Sequence, residues 1–594
     1  MLKCKQIHEL RMSSSMLEQG YWRNRDMRKH VRIIDGQLAP TLVLTNATYL
    51  NMYTKVWLHA NIWIYNERIV YVGEEMPEND IGTTYVDCKG LFLVPGYIEP
   101  HAHPYQLYNP EQLARHAAVF GTTTLINDSL MWHFLMEEKK AFSFMEACQK
   151  LPISMYWWAR YDSQTILQDE DKVFHTESVL KWINHPAVVQ GGELTAWPAL
   201  LDGDDHLLYW IQETKRHRKP IEGHFPGASE KTLTKLKLLG VNADHESITG
   251  KDVLKRLELG YQVGLRYSSI RPDLPQLLEE MLDLGLKTFD ELTMTTDGST
   301  PSFYEDGLMN KLIDIAIQKG VPIEEAYRMA SYNAAKHFHL EEQIGSIAPG
   351  RIAHINFLNE KDNPHPTSVL AKGEWIKRNG KVCHYPSQIE WSAFGIKRLH
   401  LSWDLEENDL QYSTPIGLKL INDVITKPYP IEIDVTPEQL PIDTFDAFLT
   451  LMDKNGKWHV NTTLHGFTRR LGGLASSYSM TGDLVYIGKN KQDMMIAGQR
   501  LKEIGGGIII VHEGHILLEI PLTLGGIMTT ENMRTLIQKQ KKLTAYLKEF
   551  GYLFDDPIYT ILFLSSTHLP YIRITQQGIV DVMKRDVLFP ATMR

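Results

Sequence analysis

The segment GYIEPHAHP sets His101 and His103 two residues apart. Side chains two apart on a β-strand point the same way, so both imidazoles can reach one cation from a strand end. Further ligand types follow at the ends of successive apolar runs: Glu193 in GGEL, His224 in EGHFPG, His245 in ADHES and Asp297 in TTDGST. Four imidazoles and two carboxylates suit a pair of divalent cations, because imidazole favours transition metals while carboxylates bridge or complete the shell. Two such ions would acidify a shared water and hold hydroxide at neutral pH. Mixed His and carboxylate ligands accept Mn, Fe, Co or Zn.

The elements that must position these residues follow from periodicity. From 96 to 342, apolar runs (TTTLIND, ISMYWWAR, VVQGGEL, PIEGH, VNADH, QVGLRY, LTMTTD) alternate with helical stretches, such as the amphipathic run Leu277–Leu286. Strand–helix alternation over this length predicts an α/β fold with a (β/α)8 TIM-like barrel. The C-terminal strand ends of such a barrel share one face, where active sites are built. Residues 41–95 and 343–390 carry short β-rich runs that bracket the barrel. Residues 1–40 form a polar N-terminal extension with one or two short helices expected. Residues 391–594 are expected to form a further C-terminal domain, α/β in composition. There NKQDMMIAGQRLKEIGG predicts a helix closed by glycine, IIIVHEGHILLEI a hairpin, and the final Thr-Met-Arg no regular structure.

Several tempting motifs have plainer explanations. His512 and His515 flank Glu-Gly, which supplies a tight hairpin turn. Gly505–Gly507 precedes a strand and not a helix, so it fits a helix C-cap better than a phosphate loop. Alternation allows only one of Trp157 and Trp158 to face inward, as barrel filling or as a stacking surface. Arg160 and Asp162 at that strand's end are candidates for the site. His133, His175, His185, His206 and His217 lack a partner pattern and are expected in loops or on helix surfaces. The H-x-E and P-C-x-x-C signature of cytidine deaminases is absent.

Composition bounds the rest. The 594 residues allow three to four domains; 43% are hydrophobic and 23% charged, as in an ordinary soluble globular protein. The formal charge of -10 lacks the basic footprint of a nucleic-acid or anionic-membrane binder. Cys4, Cys88, Cys148 and Cys383 form no CxxC pair, which excludes a cysteine zinc site and fits the cytoplasm. The N-terminus lacks an apolar core after its charges, so no secretory signal is expected, and no run is long enough for a membrane helix. The 24 histidines prompt a search for metal sites, but position has to decide.

The motifs VPGYIEPHAHP, GTTT, GGE, GHFPG, ADHE, TTD and GSIAPG occur in the order seen in the amidohydrolase superfamily. A glutamate in place of a carbamylated lysine, together with RLKEIGGGIIIVHEGHILLEIPLTLGGIM, resembles the adenine deaminase family. The resemblance covers about residues 41–390 and again about 465–530. It implies that the two flanking segments form a β-sandwich beside the barrel. It implies His101, His103 and Asp297 on a first metal, Glu193 bridging, and His224 and His245 on a second. The metals would be manganese first, with iron or zinc as alternatives. Asp297 would relay a proton from the attacking water to the leaving group, converting adenine to hypoxanthine and ammonia. Glu246 and Arg266 would orient or protonate the base, with Asp128 and Arg160 as further substrate-side candidates. The partner would be a small purine, with no nucleic acid or membrane, and assembly into a homo-oligomer stays open.

Three departures fall on the substrate side. The family's Asp-Pro-His-Glu stretch is Asn127-Asp128-Ser129-Leu130 here, its double Asp is Asp297-Gly298, and its His-Asp-Ser-His-Asn segment is Ser477–Asp483. Two alternatives therefore stand beside adenine: another cyclic amine or amide as substrate, and a metal-binding relative without catalysis.

Overall fold

The computed structural model describes residues 24–383, 387 and 389–594. Eight parallel strands form the barrel: β1 (Tyr97–Ala102), β2 (Thr122–Asn127), β3 (Ser154–Ala159), β4 (Val188–Leu194), β5 (Ile221–Gly223), β6 (Ala243–Asp244), β7 (Gln262–Arg266) and β8 (Leu292–Thr295). Each hydrogen-bonds to the next in chain order. They are buried along their whole lengths, as parallel strands covered on both faces must be.

The seam between β8 and β1 is joined largely by a side chain. Glu99 of β1 accepts from Thr295 Oγ1 (2.6 Å), Thr296 N (3.0 Å) and Thr296 Oγ1 (2.7 Å), and also from His101 N (3.0 Å). The carboxylate thus ties the strand that carries His101 to the loop that carries Asp297.

Both flanking segments enter one nine-stranded sheet, in which Phe92–Pro95 pairs antiparallel with Ile355–Leu358. Its apolar residues, among them Leu44, Ile62, Leu93 and Ile355, pack into a core of their own. Of the N-terminal extension, Asn24–Ile34 is a helix; the rest of the expectation for it lies outside the described residues.

The C-terminal region supplies a second nine-stranded sheet and a three-stranded one. The helix Lys491–Ile504 is capped by the Asn490 side chain and closed by Gly505 at φ +76°, a left-handed geometry in which glycine carries no Cβ penalty. Gly507–His512 and His515–Pro521 form the hairpin across Glu513-Gly514. The chain end departs from expectation. Thr592–Met593 adds a short strand beside Trp458 and His459, and Arg594 pairs with Asp409 at 2.8 Å, since unpaired backbone at a sheet edge takes up any neighbouring extended segment.

Candidate metal centre and its cavity

His101 and His103 leave the end of β1 with their Nε2 atoms 3.2 Å apart. Asp297, just beyond β8, brings Oδ1 to 3.3 Å from the first and 3.2 Å from the second. Asp297 is itself left-handed (φ +48°), held by a 2.6–3.0 Å network through Thr295 and Glu99. Glu193, at the end of β4, faces two ways. Its Oε2 lies 3.7 Å and 3.9 Å from the His101 and His103 Nε2 atoms, while its Oε1 lies 3.0 Å from His224 Nδ1 and 3.5 Å from His245 Nε2. One carboxylate therefore spans two sets of ligands.

The donor set fits divalent cations. Among the described residues, His224 Nδ1 and His245 Nε2 are buried without a hydrogen bond, although both face the same Glu193 oxygen. A buried polar atom normally has a partner, and atoms aimed jointly at one point without bonding each other suit a common ion. Three ligand triplets, His101–Glu193–His245, His101–His103–Asp297 and His224–His245–Glu246, each have all their ligating atoms within 4.8 Å of one another.

The electrostatics agree. Burial disfavours the charged form of Asp297, but Arg266 and the imidazoles hold it well below the usual carboxylate range. Burial likewise opposes charge on Glu193, and Arg160 with the surrounding imidazoles keeps it ionised. Against burial, Glu222 and Glu193 push the His101 pKa up to about 10. The carboxylates of the shell are thus ionised, and a cation would take the place of the His101 proton.

Glu222 is a site residue that sequence reasoning missed. From β5 it bonds His101 Nδ1 (2.9 Å), His245 Nδ1 (3.0 Å) and Gln190 Nε2 (2.9 Å). It takes the far nitrogen of one imidazole from each ligand set and leaves both Nε2 atoms directed at the centre. The available signal was spacing: Glu222 precedes His224 by two, as Glu99 precedes His101.

Arg266 joins Asp297 Oδ2 (2.7 Å) to Glu246 Oε1 (2.6 Å), and Arg271 binds the other Glu246 oxygen. Burial would raise the Glu246 pKa, but His224, Arg266 and Arg271 lower it to about 2. Glu246 is thus held by ion pairs to both arginines and lies 3.4 Å from His224 Nδ1. Both Glu246 and Arg266 line the cavity above the ligands.

Asp128 and Arg160 lie elsewhere. Both are fully buried beside His103 and Glu193, and neither lines the cavity. Arg160 Nε meets Asp128 Oδ1 at 2.7 Å and its Nη2 meets Glu193 Oε2 at 3.1 Å, while Asp128 Oδ2 accepts from His103 Nδ1 at 2.8 Å. They thus touch His103 and Glu193 from within the barrel and not from the cavity. Asp162 instead binds the backbone of Thr195 and Ala196 beyond β4. Trp158 faces inward, with its ring 4.6 Å from that of His101, and Trp157 packs outward against Trp132 and Phe144. His133 departs from the expected surface position and packs against Phe174 and Trp182.

Two glycines explain close approaches. A Cβ on Gly192 (φ +90°) would stand 2.3 Å from Glu222 O, and one on Gly298 (φ +64°) would stand 2.4 Å from His103 Cβ. Glycine in place of a second aspartate after Asp297 therefore leaves room for His103.

The cavity, about 730 Å³, is roofed by the C-terminal region. Val424, Met480, Tyr559, Phe563, His568 and Pro570 line it. Of Ser477–Asp483, only Met480 reaches its wall, while Tyr478 bonds Gln106 beyond β1. Tyr559 donates to Gly298 O, and Thr300 Oγ1 donates to Asp556 at 2.9 Å, so the roof is anchored to the Asp297 loop.

A parallel barrel with converging His and carboxylate ligands at its C-terminal strand ends defines a metal-dependent hydrolase of the amidohydrolase type. The model of the amidohydrolase family matches residues 92–376, and that of the adenine deaminase C-terminal domain matches residues 423–586. A protein of Oceanobacillus iheyensis, provisionally named an adenine deaminase, is 60% identical over 96% of this chain and 99% of its own. A similarly named Bacillus subtilis protein is 50% identical over 96% of this chain and 99% of its own. The adenine deaminase of Kosmotoga olearia is 25% identical over 94% of this chain and 97% of its own. The chain belongs to the adenine deaminase family.

Proposed function

We propose that this protein hydrolyses adenine to hypoxanthine and ammonia at a pair of divalent cations, with manganese the first candidate. The observation that carries the reading is Glu193, whose two oxygens face separate ligand sets, beside an Asp297 kept ionised by Arg266. His101, His103 and Asp297 would hold one ion, His224 and His245 the other, and Glu193 both. When bound, the ions supply acidified water as a nucleophile near neutral pH.

The chain's own groups do the rest. Arg266 holds Asp297 Oδ2, so the carboxylate is ionised and its Oδ1 faces His101 and His103. Water adds to C6, and the C6–amino bond breaks. One of the water's two protons ends on ring nitrogen N1 and the other on the departing amino nitrogen, with Asp297 as the relay. Glu246 and Arg266 orient the ring from the cavity wall. The roof limits the entry of bulk water.

The test is ammonia and hypoxanthine release from adenine by manganese- or iron-loaded protein. A panel of other purines, pyrimidines and cyclic ureides runs beside it. Turnover of a panel member in place of adenine would move the substrate assignment. No turnover by folded, metal-replete protein would leave a metal-binding role.

A further inference from the structure

The roof carries one imidazole that nothing in the proposed chemistry uses. His568 lies in the segment after Pro557–Phe563 and lines the cavity. Its ring stands edge-on to that of His224, with centroids 5.2 Å apart and planes at 89°. Its Nδ1 lies 3.4 Å from Gln164 O, which also accepts Thr567 N at 3.0 Å. A carbonyl oxygen only accepts, so Nδ1 carries the hydrogen and Nε2 keeps its lone pair. Among the described residues nothing bonds that Nε2.

The anchor itself is well fixed. Gln164 is left-handed (φ +60°), and its side chain donates to Glu193 Oε2 at 3.0 Å. Thr165 Oγ1 donates to Ser565 O beside it. The loop after β3 thus ties the bridging carboxylate below to the roof segment above. His568 is oriented from the same residue that touches the metal shell. Glu246, also beside His224, already has its oxygens paired with Arg266 and Arg271.

We propose that His568 is a substrate-binding residue, presenting a preoriented Nε2 acceptor to a substrate N–H beside the second ligand set. This rests on the deaminase reading above. Purines with ring and exocyclic N–H groups supply such a donor, and a site built to accept an N–H discriminates against analogues that lack it. Because the acceptor is fixed before binding, no ordering cost is added at that contact.

The test compares His568→Phe, which keeps the ring shape without an acceptor, with His568→Gln, which keeps an acceptor. Both are assayed as metal-loaded full-length protein, with metal content measured alongside adenine kcat/KM. His568→Phe should lower kcat/KM about tenfold to a hundredfold at unchanged metal content, the range expected for a buried group left unpaired. His568→Gln should recover part of the loss. Wild-type rates in His568→Phe, or equal losses in both variants, would overturn the proposal. So would a fall in bound metal, because the residue would then act through the shell. An inactive wild type would instead refute the deaminase reading and is distinguished by that control.

Discussion

Replacing Glu222 by Gln tests whether one carboxylate organises both ligand sets. Glu222 accepts from His101 Nδ1 at 2.9 Å and from His245 Nδ1 at 3.0 Å, one imidazole from each set. The amide of Glu222→Gln keeps one acceptor and turns an NH2 toward the other Nδ1. That imidazole must then move its hydrogen to Nε2, the atom aimed at the metal, or rotate away. A hydrogen bond to a charged group is worth roughly 1.5–3 kcal/mol, and at least one is lost. Losing an outer partner of a metal-binding His typically weakens metal affinity about 10–100-fold, or roughly 1.4–2.7 kcal/mol. We expect that loss in at least one site, measured by competition with a chromogenic chelator and by metal analysis after equilibration. The variant should remain folded, since Gln keeps the volume. Two cations held as tightly as in wild type would refute the clamp.

Cation binding should depend on pH. The folded His101 pKa is raised from 6.5 to about 10, chiefly by Glu222 against the cost of burial, so its ion pair stabilises metal-stripped protein below pH 6.5. That contribution is lost as pH rises through about 10, and a cation must displace the same proton. Affinity should therefore climb from pH 6 toward 10, with proton release at pH 7; calorimetry in two buffers of different ionisation enthalpy counts the protons, and a count of zero contradicts the assignment. Asp297→Asn should lower kcat about 10²–10⁴-fold, the usual worth of a general base, as read by ammonia release at matched metal content. Arg160→Lys should reduce kcat or metal occupancy while leaving KM within a few-fold, because Arg160 touches Asp128 and Glu193 but not the cavity. A large rise in KM alone would return Arg160 to the substrate side.

The ligand types were legible because a parallel barrel gathers its strand ends on one face. The motifs at β1, β4, β5, β6 and β8 needed no long-range information beyond strand order. The helix Lys491–Ile504 and the hairpin at Glu513-Gly514 were likewise written locally, in a cap, a glycine and a turn. The outer partners were less legible. Glu222 and Glu99 stand two residues before His224 and His101, but only packing reveals which groups each one meets.

By itself the sequence determined the alternation that builds the barrel and the order in which ligand types arrive at its rim. Both are local properties of residue spacing. Tertiary structure decided everything that depends on distant segments meeting. It put Arg160 beside Glu193 and away from the cavity, set Arg266 between Asp297 and Glu246, and closed the β8–β1 seam through Glu99. It also brought His568 from some 340 residues along the chain to the side of His224. No periodicity encodes such a meeting, because it is fixed by how the C-terminal region packs over the barrel mouth.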